Sequence, residues 1–218
     1  MAGYIFEKDN CIRLDEKWKY MLETNGLPYF RMSLCAHGNG VFKNLTLEER
    51  ISVQTRAIEL IKEYMAYGFV ISIDTRFAHL IPTFGMYKNV YTFACWQALI
   101  GARRWMDKIR YSGNVAYFFE SGHDSQTEAN RIMQQIFTEP RLKKSYRYSS
   151  HTFADKVMVR PLQCADLLAW QWFTHQRRLS EGKLARADFY SLVEKPHDVF
   201  HYDEQKVKGL IPPIPLGS

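Results

Sequence analysis

Only four cysteines occur in 218 residues, and Cys11, Cys35, Cys95 and Cys164 stand far apart with no Cys-x-x-Cys pair. That spacing argues against a zinc finger and a disulfide framework, and predicts four reduced, mostly buried thiols. Long apolar runs are also missing. None approaches the ~20 residues that cross a bilayer, and Met1-Ala2-Gly3-Tyr4 lacks the basic start and apolar core of a secretory signal. These absences predict a soluble, cytoplasmic protein with no membrane partner. Neither sign of charge dominates: 29 basic and 23 acidic side chains leave a net +6, spread along the chain with no basic tail. Such an excess suits a polyanionic partner without requiring one. There is no P-loop, G-x-G-x-x-G, G-x-S-x-G or H-E-x-x-H pattern, which argues against nucleotide kinases, dehydrogenases, serine hydrolases and zincins.

Apolar residues make up 46% of the chain and aromatics 15%, enough for a real core. With no repeat and no linker, residues 1–218 read as one α/β domain, a mixed sheet flanked by helices. Residues 207–218 read as an extended tail, polyproline-like at Pro212-Pro213-Ile214-Pro215, with Gly217-Ser218 a possible cloning scar. Strands are predicted at 3–7, 28–32, 69–73 and 115–119, and more weakly at 146–150 and 157–159. Helices are predicted from Asp15 to Glu23, from the capping box Thr46/Glu49 to Gly68, over 92–111, after a second capping box Ser125/Glu128, over 162–178 and near 185–193.

Two carboxylates stand out. Glu120 ends the apolar strand Val115–Phe119 and precedes the turn Ser121-Gly122-His123, and the carboxyl ends of strands are where α/β sheets collect ligands. Asp166 sits in Leu162-Gln163-Cys164-Ala165-Asp166-Leu167-Leu168-Ala169-Trp170, a helix apolar on nearly every side. A carboxylate there must be paired, protonated or bound to a cation. We expect a metal ligand or catalytic acid, with a structural salt bridge as the alternative, and Gln163 sharing the site. Arg141, Lys143, Lys144 and Arg147, interleaved with Tyr146 and Tyr148, suit a nucleic-acid backbone with base stacking, or else form a solvated loop.

Four segments together resemble a large bacterial family of uncharacterised proteins. They are Tyr29-Phe30-Arg31-Met32 with Cys35-Ala36-His37-Gly38-Asn39-Gly40, Phe69–Asp74, Tyr117-Phe118-Phe119-Glu120-Ser121-Gly122-His123, and Pro161–Trp170. That family is recognised by an Asp-Glu-Ser-Gly strand at its start and a Gln-x-Ala-Asp helix near its end. The resemblance implies a ribonuclease H-like fold with acidic residues that bind divalent metal. It covers essentially the whole chain, with two departures. The Asp-Glu-Ser-Gly strand is absent, Met1–Phe6 matching the family's second strand. Phe30-Arg31-Met32-Ser33-Leu34 stands where such proteins often show Phe-His-Met-x-Asp.

A pair of divalent ions clamping a phosphodiester needs three or four acidic donors. Glu120 and Asp166 supply two, and Asp74, at another strand end, is a candidate third. His123 and His37 are candidates for proton transfer or phosphate contact, and Gln163, Lys143, Lys144 and Arg147 for substrate binding. The expectation is a Mg²⁺- or Mn²⁺-dependent nuclease or phosphodiesterase acting on nucleic acid, incomplete in this chain. The alternatives are a non-catalytic member that binds nucleic acid or protein, and a small-molecule enzyme using Glu120 and His123 without metal.

Overall fold

The computed structural model describes residues 1–84 and 87–209. Strands β1 (Ala2–Phe6), β2 (Met65–Ile73), β3 (Val115–Glu120), β4 (Tyr148–Ala154) and β5 (His197–Tyr202) alternate with helices. These are α1 (Lys8–Thr24), α2 (Met32–His37), α3 (Leu47–Tyr64), α4 (Val90–Lys108), α5 (Gln126–Thr138), α6 (Pro140–Ser145), α7 (Pro161–Ser180), α8 (Ala187–Val193) and α9 (Glu204–Lys208). The α/β class expected from the sequence is what the structure shows. One sheet has the order β1-β2-β5, and β3 and β4 form a second. β1 runs antiparallel to β2, with Ala2 opposite Val70. The amides of Gly68 and Asp74 donate to the carbonyls of Pro196 and Tyr202, advancing in the same direction along both segments, as parallel strands do. The first sheet is therefore mixed.

The chain resolves into two compact units. The first unit holds Met1, Ile71–Phe153 and, of the described residues, Val199 to Gly209; the second holds Ala2–Val70 and Ala154–Asp198.

In the second unit α1 packs on α3, and α7 packs along β1. The core holds Leu14, Trp18, Phe30, Phe42, Leu60 and Leu167. Phe30 takes edge-to-face contacts from Trp18 and Phe42, both at 5.8 Å. The Thr46/Glu49 capping box forms as its residues predict, with both reciprocal bonds present. The helix it opens ends at Tyr64 rather than Gly68, because Met65 turns to extended geometry and leads straight into β2. Gly68 lies inside that strand, where an added Cβ would stand 2.9 Å from the Tyr4 ring. It marks a close approach between strands, not a helix stop.

Three further expectations fail here. Asp15 does not start α1, which begins seven residues earlier; its carboxylate instead pairs with the Arg160 guanidinium at 2.6 Å. Residues 28–32 are not a strand, since Phe30 gives its amide to the Gln163 side chain and α2 begins at Met32. Residues 157–159 form a turn, in which Val157 donates to the Asp155 carboxylate.

In the first unit α5 turns Ala129, Ile132, Met133 and Ile136 into a core shared with Phe93, Trp96, Leu99, Phe119, Tyr146 and Tyr148. The Val115 amide donates to the Arg147 carbonyl at the start of β4, and Phe119 stacks on Phe153 at its end, 5.2 Å between centroids. β3 and β4 therefore run in the same direction, joined through α5 and α6 as parallel strands require. The strand expected to be buried throughout is buried on one face: Phe119 is enclosed, and Phe118 is 51% exposed. Residues 207 and 208, predicted as the start of an extended tail, belong to α9. The polyproline-like stretch and Gly217-Ser218 lie outside the described residues. Among the described residues no helix is long and apolar enough to cross a membrane.

Candidate functional site

In the first unit the β3–α5 corner brings several chemistry-bearing side chains to one place. β3 ends at Glu120, whose carboxylate is exposed, and the chain turns through Gly122 at φ 93, a conformation that suits glycine. The Gly122 amide donates to the Gln126 side chain at 2.8 Å. The second capping box does not form. Ser125 is the N-cap residue but makes no side-chain cap bond, and Glu128 pairs with Arg131 at 2.8 Å. That ion pair holds the Glu128 carboxyl below its usual range.

His123 lies flat on Tyr91, the ring centroids 3.8 Å apart and the planes 7° from parallel. The Ser125 amide donates to His123 Nδ1 at 3.0 Å. Tyr91 reaches this position because Asn89 caps α4, its side chain accepting the Thr92 amide at 2.9 Å. Tyr91 is half-buried, with Cys95 within electrostatic reach of its phenol. Burial pushes the Tyr91 phenol up, helped by Cys95 and by the negative charge of Glu120. Burial likewise pushes the Cys95 thiol up to about 12, so it is inert as a nucleophile. Tyr91 was invisible to sequence reasoning, since nothing in the sequence pairs residue 91 with residue 123.

Asp74 terminates its strand as expected, and its role is local. Its carboxylate accepts the Arg76 backbone amide at 3.0 Å and the guanidinium at 2.6–3.1 Å. These bonds hold its carboxyl down at about 2, from an ordinary 3.8. The stability this contributes is present above the ordinary value and lost as pH falls from about 4 towards 2. The Asp74 carboxyl carbon is expected to titrate by NMR near pH 2, and a midpoint near 4 would show that Arg76 does not hold it in solution.

Gln163 and Asp166 lie one turn apart on α7, in the second unit. The Gln163 side chain is fully enclosed. Its carbonyl accepts Trp18 Nε1 and the Phe30 amide, and its amide donates to the Lys156 carbonyl, all at 2.8 Å. Asp166 accepts the Met32 amide at 3.0 Å and pairs with Lys156 Nζ at 3.3 Å. The physical demand read from the sequence was right, for this carboxylate does have a counter-charge. The partner is a lysine of the chain itself, with side-chain exposures of 13% for Lys156 and 20% for Asp166. Asp166→Ala is expected to cost about 2 kcal/mol, with the Lys156→Met/Asp166→Leu double variant nearer to wild type than either single variant. Equal losses from both singles that simply add would contradict the pairing.

The remaining candidates divide by exposure. His37 ends α2, exposed, with Nδ1 2.7 Å from the Ser33 carbonyl. Lys143 rests over the Phe137 ring at 4.1 Å. Arg147, at φ 50, donates to the Tyr111 carbonyl at 2.6 Å and pairs with Asp107 at 2.8 Å. Arg141 and Lys144 are exposed on α6, a helix announced by Glu139-Pro140 at its start and read from sequence as loop. Tyr146 and Tyr148 are buried in the core, so the stacking platform expected of them does not exist.

The metal expectation can be tested against these donors. Arg76 and Lys156 occupy the carboxylates of Asp74 and Asp166, and a divalent ion would have to displace both. Among the described residues no group of three His, Cys, Asp or Glu side chains is placed to hold a metal ion. Comparison with family models, curated proteins and solved structures finds no match to this chain.

Proposed function

We propose that this protein is of the ribonuclease H-like, phosphodiester-directed type, nuclease or phosphodiesterase, and that the chain as it stands is catalytically incomplete. The observation that carries the reading is the β3–α5 corner, where an exposed carboxylate, a fixed imidazole and a phenol stand together at the carboxyl end of a parallel strand. The α/β class and the mixed first sheet support it. The chemistry available there is acid–base: Glu120 to accept a proton from water, and His123 to meet the substrate's oxygen. Incompleteness follows from Asp74 and Asp166, whose ion pairs remove them from the acidic set that such hydrolysis needs. Single-stranded oligonucleotides incubated with Mn²⁺ test the reading. Turnover is expected to be feeble and to vanish in Glu120→Gln. Robust turnover unaffected by Glu120→Gln would overturn it.

A non-catalytic, nucleic-acid-binding role is the second reading, favoured by the exposure of Arg141 and Lys144 on α6. Their joint replacement by alanine would flatten the dependence of affinity on salt.

A further inference from the structure

We propose that Tyr91 is a positioning residue that, together with the Ser125 amide, holds His123 as an Nε2–H donor aimed at an anionic phosphodiester oxygen. This rests on the phosphodiester reading for its substrate class and on geometry for the rest. A backbone N–H can only donate, so His123 Nδ1, 3.0 Å from the Ser125 nitrogen, must be an acceptor. The neutral ring then carries its proton on Nε2. Protonating the ring at Nδ1 would break that bond and set two donors against each other. Flipping the ring would bring a carbon against the Ser125 amide and leave the amide unmet.

Stacking supplies the second restraint. Parallel rings 3.8 Å apart, tilted by 7°, fix the plane of the imidazole, and the phenol beneath it is itself half-buried. One face of His123 is covered and Nδ1 is engaged, while the side chain is exposed overall. The group it presents outward is therefore the Nε2–H edge. Glu120 lies within electrostatic reach of Tyr91. The corner thus divides the work: Glu120 is the proton acceptor, and His123 is a neutral hydrogen-bond donor to the oxygen that carries charge. That assignment reverses the usual expectation of a loop histidine as general base.

Nitrogen-15 spectra of the imidazole in the folded chain above pH 8 read the assignment directly. Wild-type His123 is expected to favour the Nε2–H tautomer about fivefold more strongly than a free histidine does, the factor one hydrogen bond supplies. Tyr91→Phe keeps the stack and should keep the tautomer. Tyr91→Leu should lower the excess to that of a free histidine and sharpen the ring resonances. An Nδ1–H tautomer in the wild type would overturn the proposal, as would an unchanged excess in Tyr91→Leu. Dimethyl phosphate, a minimal phosphodiester, should then shift the wild-type Nε2 proton downfield and leave Tyr91→Leu little changed. No shift, with the predicted tautomer present, would overturn the oxygen-donor role. If both spectra behave as expected and oligonucleotide turnover is nonetheless insensitive to Glu120→Gln, only the hydrolase reading falls.

Discussion

Gln163→Leu is expected to lower stability by about 4 kcal/mol. The substitution nearly conserves volume, so cavity formation contributes little. The loss comes from three groups left behind. Trp18 Nε1 and the Phe30 amide would lose their common acceptor, and the Lys156 carbonyl its donor. Each unmet buried group costs about 1–3 kcal/mol. Urea denaturation at neutral pH measures the sum. A loss under 1 kcal/mol would mean that water reaches these groups. The same amide ties α1, the segment before α2 and the turn before α7 together, so Gln163→Leu should also loosen Phe30 and expose its amide to exchange.

Asp188→Ala should cost about 3 kcal/mol. This carboxylate at the start of α8 accepts from the Gln54 amide, from Gln171 Nε2 at 2.9 Å, from the Arg186 guanidinium at 2.8–3.1 Å and from the Phe189 amide at 2.9 Å. Truncation strands two buried glutamine amides. Burial alone would push the Asp188 carboxyl up, and the bonds from Arg186, Gln171 and Gln54 more than offset this, so it is held below 3.8. Its stabilising contribution is therefore complete at neutral pH and lost as pH falls below about 4. The stability gap between wild type and variant should shrink steadily in acid. A gap that stays constant down to pH 2 would show that the carboxylate is not the stabilising species.

Local signals in the sequence were read well wherever they were self-contained. The Thr46/Glu49 box, the Asn25-Gly26 stop and the apolar run Val115–Phe119 each carry their own geometry, and each forms where predicted. What failed needed a distant partner. Residues 28–32 have the composition of a strand, yet the Phe30 amide is taken by a side chain 133 positions away. β5 was not foreseen, because His197-Asp198-Val199-Phe200-His201-Tyr202 alternates polar and apolar residues too weakly to stand out. Ser125/Glu128 has the pattern of a capping box, but Arg131 one turn on competes for the glutamate and wins by charge.

The site was legible in the same uneven way. Glu120 and His123 fall on one corner, as the turn between them suggested. Asp166 announced that it needs a counter-charge without naming it, since nothing in the sequence marks Lys156, just before the segment 157–159, as its partner. Tyr91 gave no signal at all.

Line broadening by Mn²⁺, followed residue by residue in amide spectra, tests most directly whether this chain's chemistry is confined to the β3–α5 corner. The account predicts that broadening begins only at millimolar Mn²⁺ and is centred on Glu120 to His123, with the amides around Asp74 and Asp166 sharp because Arg76 and Lys156 hold those carboxylates. Broadening at micromolar Mn²⁺ centred on Asp166 or Asp74 would contradict it, showing that the ion pairs give way to metal.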